Sequence, residues 1–449
     1  MNVLNTHFTT KSLLQYAFPS ICMMIFLSIY TIVDGVFVAQ FVGETALSAI
    51  NIVYPILCIY FAIAMMFATG GTAIMGKLMG EQKDDEARSF LSLLYLVATA
   101  IAIFLGIISF LFPHEIVKLL GAKEELIPYA YDYFISLSPF ALGFFLQVYV
   151  QVFFVLVGKP TQGFFVCFLG GITNIVLDYV FISPNMMNLG ITGAGLATGI
   201  GNSIPAVYGL VYFFCNRKGS LYFEKPIFRW KMLVQSMYNG SSELVSQLST
   251  AITTLLFNVI LFDLVGADGV AAISVILYIQ MMQIGIYFGY SIGIAPIISY
   301  KFGEQNKLEL DEVVKISFRF LGIVSILIIS LSFIFAELAT GIFIARDSST
   351  FAMTTKGLRI FSIAYLFMGI NIFMSSLFTA LSNGKVSAIL SLSRTFLFLV
   401  GSLLVLPKLI GIVGVWLAVP IAEGLTFFMS YYFYKKEYYH FLHILEFDT

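Results

Sequence analysis

Residues 13–40 read LLQYAFPSICMMIFLSIYTIVDGVFVAQ. After Lys11 the chain carries no charge until Asp34. About 20 apolar residues cross a bilayer at ~1.5 Å rise each, so a helix through this run spans one. It puts one carboxylate, Asp34, in the outer third of the helix, six residues before Gln40. A carboxylate held at that depth is costly, and its default meaning is a proton or ion site that faces a cavity. The plainer alternative is an aspartate dipping into the outer headgroups. The rest of the chain bears on which applies.

Of 449 residues, 59% are hydrophobic and only 11% charged, whereas a soluble domain carries about 25% charge. The chain therefore reads as a polytopic membrane protein. Its net charge of -1 offers no basic field, so no nucleic-acid partner is expected. The segment before the first apolar run has no small-residue cleavage pattern, so helix 1 is expected to be retained. Cys22, Cys58, Cys167 and Cys215 are scattered without metal spacing and read as small core residues. His440 and His443, three apart near the C-terminal end, read as a solvated face.

Apolar runs bounded by charge, Gly or Pro give twelve helices, over 13–40, 46–79, 90–112, 125–157, 161–183, 189–215, 233–265, 269–299, 316–338, 353–382, 386–407 and 411–434. No stretch alternates as a membrane strand does, so the fold class is all-α. With the N-terminus inside, cytoplasmic loops hold 17 Lys/Arg and outer loops 6, leaving Arg394 within a helix. That excess places both termini in the cytoplasm and the chain in the plasma (inner) membrane.

The halves repeat. Phe41-Val42-Gly43 returns as Leu264-Val265-Gly266, and Gly80-Glu81-Gln82 as Gly303-Glu304-Gln305, both 223 residues on. Gly158-Lys159 returns as Gly384-Lys385, and Gly190-Ile191-Thr192-Gly193 as Gly411-Ile412-Val413-Gly414. Two six-helix bundles in parallel orientation follow: an N-lobe (1–220) and a C-lobe (221–449), joined by a basic linker at about 215–231. Parallel repeats with a site at their interface are a transporter plan.

Asn174 and Asp178 in helix 5 are four apart and share a face. Asp178 lies five residues before Ser183, so it can match Asp34 in depth. Two carboxylates at one depth in one lobe, with an amide beside one, read as a cation site. Pro19 and Gly35 mark a candidate hinge in helix 1. In the second lobe position 257 is Phe, so Asp34 has no counterpart there. Arg394 and Glu423 read as a structural ion pair, with a second proton site as the alternative. Glu243 reads as a helix-start carboxylate with headgroup access. Gln147, Gln151, Gln280, Gln283, Asn258 and Asn371 are candidate lining of a substrate cavity, among plentiful Phe and Met. No Walker, zinc or nucleophile-elbow pattern occurs, so no cofactor and no enzyme activity are expected.

Together these residues resemble the MATE family, the multidrug and toxic-compound extrusion transporters. The likeness rests on Val33-Asp34, Gly43 leading into Ala46 and Ala49, Gly80-Glu81-Gln82 and Gly158-Lys159-Pro160. Asp34 preceded by Pro19, with Asn174-x-x-x-Asp178, resembles the DinF-like and related bacterial branch. The resemblance implies two pseudo-symmetric six-helix bundles and a coupling site at Asp34, Asn174 and Asp178, with Thr198 a neighbour. The site would take H+ or Na+. The acidic C-lobe site of the other branch, in helices 7 and 10, has no match: Glu243 falls too early, and no acid lies between Arg359 and Lys385. The expected function is cation-coupled antiport of small apolar or cationic drugs across the lipid bilayer, by a monomer. A lipid-linked oligosaccharide flippase of the same superfold is the alternative, and a membrane enzyme or receptor a second one.

Overall fold

The structure, a computed structural model, describes residues 3–438, so His440 and His443 lie outside the described residues. Twelve long helices follow one another: α1 (Thr10–Phe41), α2 (Glu44–Gly80), α3 (Asp84–Leu111), α4 (Ile127–Leu156), α5 (Pro160–Ile182), α6 (Gly190–Cys215), α7 (Trp230–Val265), α8 (Ala267–Gly303), α9 (Lys307–Ile334), α10 (Ser349–Ala380), α11 (Gly384–Ile410) and α12 (Ile412–Phe433). Eleven are long and apolar enough to cross a membrane; α6 falls short in hydropathy because Gly, Thr and Asn interrupt it. At ~1.5 Å per residue its 26 residues are still long enough to span.

Side-chain caps start several helices where the sequence offers them. Thr9 accepts from the Ser12 amide (3.3 Å), Asn306 from Glu309 (3.2 Å) and Asn383 from Val386 (3.3 Å). Apolar runs locate the bilayer slab, and the helices overrun it. α3 begins six residues before its expected start and α9 nine before, through charged first turns that remain helical in water.

The repeat is visible in the backbone. Gly43 and Gly266, Gln82 and Gln305, and Gly190 and Gly411 all adopt positive φ. Helices α4 and α10 each break at a 3-10 turn, Ser138–Phe140 and Ser362–Ala364. One match moves. The positive-φ partner of Gly158 is Ser382, so the Gly158-Lys159 and Gly384-Lys385 pairing is out of register by two residues. The cause is that Asn383 caps the following helix in the C-lobe, where the N-lobe uses Pro160.

The repeats meet about a pseudo-two-fold axis. Gly70 packs on the backbone of Ser236 and Gly240, and its mate Gly293, 223 residues on, packs on Ala17, the mate of Gly240. Gly80 faces the Tyr300 carbonyl while Gly303 faces that of Lys77. These contacts fuse the lobes on the side that carries the first and last described residues, where His7 lies 3.8 Å from Glu312 and Tyr438 bonds Asp311. On the opposite half the lobes part. No residue from Leu277 to Ile284 of α8 is buried. Tyr54 is 53% exposed there, although Tyr30 on α1 and Tyr278 on α8 lie within electrostatic range. The linker is pinned to the base of α3 by Arg229 on Glu86 and by Ile227 on Ser89.

Candidate functional site

In the N-lobe, α1 and α5 approach closely because Gly171 receives the rings of Phe26 and Tyr30. One turn on from Tyr30, Asp34 faces Asp178 across the two helices, and each carboxyl stands in the other's electrostatic field. Asp178 is fully buried. No basic side chain forms an ion pair with either acid among the described residues. On α6, Gly201 lets the backbone rest against the Cβ of Asn174, so Thr198 accepts from the Asn174 amide (3.4 Å). Tyr133 of α4 stands, with Tyr30, in the field of both carboxyls. One oxygen of Asp34, both of Asp178 and the Asn174 carbonyl are buried with no protein donor. Four acceptors converging without a counter-charge form a site a proton or small hard cation can occupy.

Between the lobes, just past the fused end, lies a cavity of ≈ 30 Å³. Thr69 and Thr72 line it from the N-lobe, and Glu243, Ser291 and Thr379 from the C-lobe. In this closed arrangement it holds about one or two waters and no drug-sized molecule.

The sequence profile of the MatE family matches residues 19–180 and again 244–404. The chain belongs to the MatE family. The double match coincides with the two lobes. Among curated relatives, the multidrug export protein MepA of Staphylococcus haemolyticus (strain JCSC1435) is 23% identical over 94% of this chain and 92% of its own length. MepA of Staphylococcus aureus (strain NCTC 8325 / PS 47) is 22% identical over 92% and 91%. A MATE crystal structure in complex with MaL6 superposes with a TM-score of 0.91 at 18% identity, covering 98% of both chains. An outward-facing multidrug resistance MATE family transporter of the MOP superfamily gives 0.90 at 19%, covering 98% and 97%. These structures share the twelve-helix fold of this MATE transporter.

Several expected positions change. Glu243 is not at a helix start: α7 begins at Trp230, so Glu243 is its fourteenth residue and faces the inter-lobe cavity. The expected start at 233 is within three residues of the observed one, so the expected span already held Glu243 inside the helix. Gln283 turns inside the C-lobe, donating to Ser332 of α9 (2.7 Å), instead of lining a substrate cavity. Asn371 is likewise buried within the C-lobe, giving its amide to Glu423 (2.7 Å) and accepting from Ser430 (3.2 Å). Arg394 pairs with Glu423 at 3.4 Å. Gln147 and Gln151 are buried in the N-lobe, 8% and 1% exposed. Gln280 and Asn258 are half-buried on the parted halves of α8 and α7. Pro19 and Gly35 both lie inside the unbroken helix α1. Sequence reasoning missed Tyr30, Tyr133 and the cavity-facing Glu243. Only Tyr30, four residues from Asp34, carried a readable signal.

Proposed function

We propose that this protein is a cation-coupled multidrug antiporter that works by alternating access. The observation that carries the reading is the Asp34–Asp178 carboxyl pair, enclosed in one lobe with no basic partner. Its cation is H+ or Na+, held by Asp34, Asp178 and Asn174, with Thr198 orienting the amide. Uptake at this pair favours one arrangement of the lobes, drug in the central cleft favours the other, and exchange follows from that difference in affinity. The excess of Lys/Arg on loops at the fused end supports a cytoplasmic position for that end, with the chain in the inner membrane. The cleft then opens outward. Pro19, by removing one backbone bond, lets α1 bend. The MepA relatives, named for multidrug export, support drugs as the substrate class. A pyrophosphate-lipid flippase would want a free intramembrane cation, and Arg394 is bound to Glu423.

The test is dye efflux from vesicles under separate pH and Na+ gradients. Wild type should respond to at least one gradient, and Asp34→Asn and Asp178→Asn to neither. Unimpaired gradient-driven efflux in both variants would remove the mechanism.

A further inference from the structure

Four acidic side chains lie well inside the spans, and the coupling site uses only those of the N-lobe. In the C-lobe Glu423 is satisfied by Arg394 and Asn371. Glu243 makes no hydrogen bond or ion pair among the described residues, yet Arg394 stands within electrostatic range of it. One guanidinium thus stands near two carboxylates and is bonded to one, and the carboxylate left over is the one facing the cavity between the lobes.

The lining of that cavity has a polarity. Thr69 donates its hydroxyl hydrogen to the Met65 carbonyl (2.8 Å), Thr72 to Ala68 (2.8 Å) and Ser291 to Tyr287 (2.9 Å). With the hydrogens turned back onto their own helices, the oxygen lone pairs remain for the cavity. Acceptors around an uncompensated carboxylate form a surface for cations. The backbone at Arg394 is also unusual. Residues Ser393–Phe398 form a π-helical turn, and α5, the matching helix of the N-lobe, has none. Such turns widen a helix locally and recur at functional sites. Finally, Glu243 sits one turn past Gly240, whose backbone rests on Met66. Once that contact parts, Glu243, inside the span, is open to a solute entering from the fused end.

We propose that Glu243 anchors a cation-binding subsite between the lobes for the monocationic group of an exported molecule, such as a quaternary ammonium or phosphonium centre, and that Arg394 tunes it by pairing with Glu423 or with Glu243. The subsite rests on the transport reading for its purpose but is separate from the Asp34–Asp178 pair. While Arg394 is held by Glu423, Glu243 is open to the ligand. If Glu423 is neutralised, the guanidinium turns to Glu243 and competes.

Equilibrium binding to the purified full-length protein tests this with tetraphenylphosphonium and tetraphenylborate, ions of one shape and opposite charge. Glu243→Gln should weaken tetraphenylphosphonium about tenfold or more, as expected for loss of a charge-assisted contact, and leave tetraphenylborate unchanged or tighter. Arg394→Gln should tighten the cation severalfold. Glu423→Gln should weaken it without touching Glu243, and Arg394→Gln in that background should restore it. A folded Glu243→Gln protein that binds the cation as wild type does, or loses both ions equally, overturns the proposal. So does an Arg394→Gln change that fails to rescue Glu423→Gln. The measurement needs no gradient, so failure of ion coupling at Asp34 and Asp178 would leave it readable.

Discussion

Alanine at Gly70 should push the lobes apart at the fused end. A Cβ there would stand 1.9 Å from the Ser236 carbonyl oxygen and 2.9 Å from the Gly240 nitrogen. Ordinary heavy-atom contact is about 3.5 Å, so the first distance is short by roughly 1.6 Å. The obstacle is backbone on α7 and cannot rotate away, so α2 and α7 must separate. Overpacking of this size costs about 1–3 kcal/mol. Because the cost falls only on the arrangement with this end closed, it becomes a shift of about 5- to 150-fold toward the open one. Spin labels at positions 83 and 308, on exposed turns of the two lobes, report the separation once Cys22, Cys58, Cys167 and Cys215 are replaced. Gly70→Ala should add a longer distance, absent or minor in wild type. Gly322→Ala and Gly401→Ala, where nothing lies within 4 Å, should leave the distances alone. An unchanged single distance in Gly70→Ala, whether or not the melting temperature falls, would refute the reasoning.

Further outcomes follow from the site and the turns. Asp34→Asn, Asp178→Asn and the double variant should impair gradient-driven efflux to similar extents, since the two carboxyls share a site and their effects do not add. Tyr133→Phe removes a buried hydroxyl beside the carboxyl pair and should change the melting temperature in detergent by no more than about 1 kcal/mol would. It should also change the gradient dependence of efflux more than drug binding. Gln305→Gly relieves a side chain held at φ 58° and should raise the melting temperature, for a gain of about 1 kcal/mol.

The order of helices and their pairing into repeats are legible because lipid imposes length and hydropathy on each span. α6 shows the limit: its glycines reduce hydropathy while letting α5 and α6 touch, so the quality that obscures it in sequence is what packs it. The adjacency of Asp34 and Asp178 follows from matched depth, and that of Asn174 from helical spacing. Tyr133 was not legible. It reaches the site only because α4 breaks at Ser138–Phe140, and rotation across such a break is set by packing. Glu243 was misplaced for a different reason. The span 233–265 already held it inside the helix, and only the packing of α7 on α2 turns it toward the other lobe.

The two kinds of interface divide the mechanical work. Inside the lobes buried polar groups are tied together: Ser375 to Ser387 (2.9 Å) and Ser391 (2.8 Å), Asn371 to Glu423 (2.7 Å) and Ser430 (3.2 Å). Pulling any of these apart within a bundle would strand buried donors at about 1–3 kcal/mol each. Between the lobes the contacts are glycine against backbone, with hydrogen bonds at the long end of the range, Ser236 to the Phe67 carbonyl (3.4 Å) and Ser28 to that of Met281 (3.5 Å). Parting there gives up dispersion over small residues and a few weak bonds, and the freed serines can meet water in the opening cleft. Motion of whole lobes is therefore far cheaper than deformation of either one. A change of protonation in the N-lobe can then act at a distance: it need only tilt a balance already close, through the α1 and α2 surfaces that α7 and α8 rest upon.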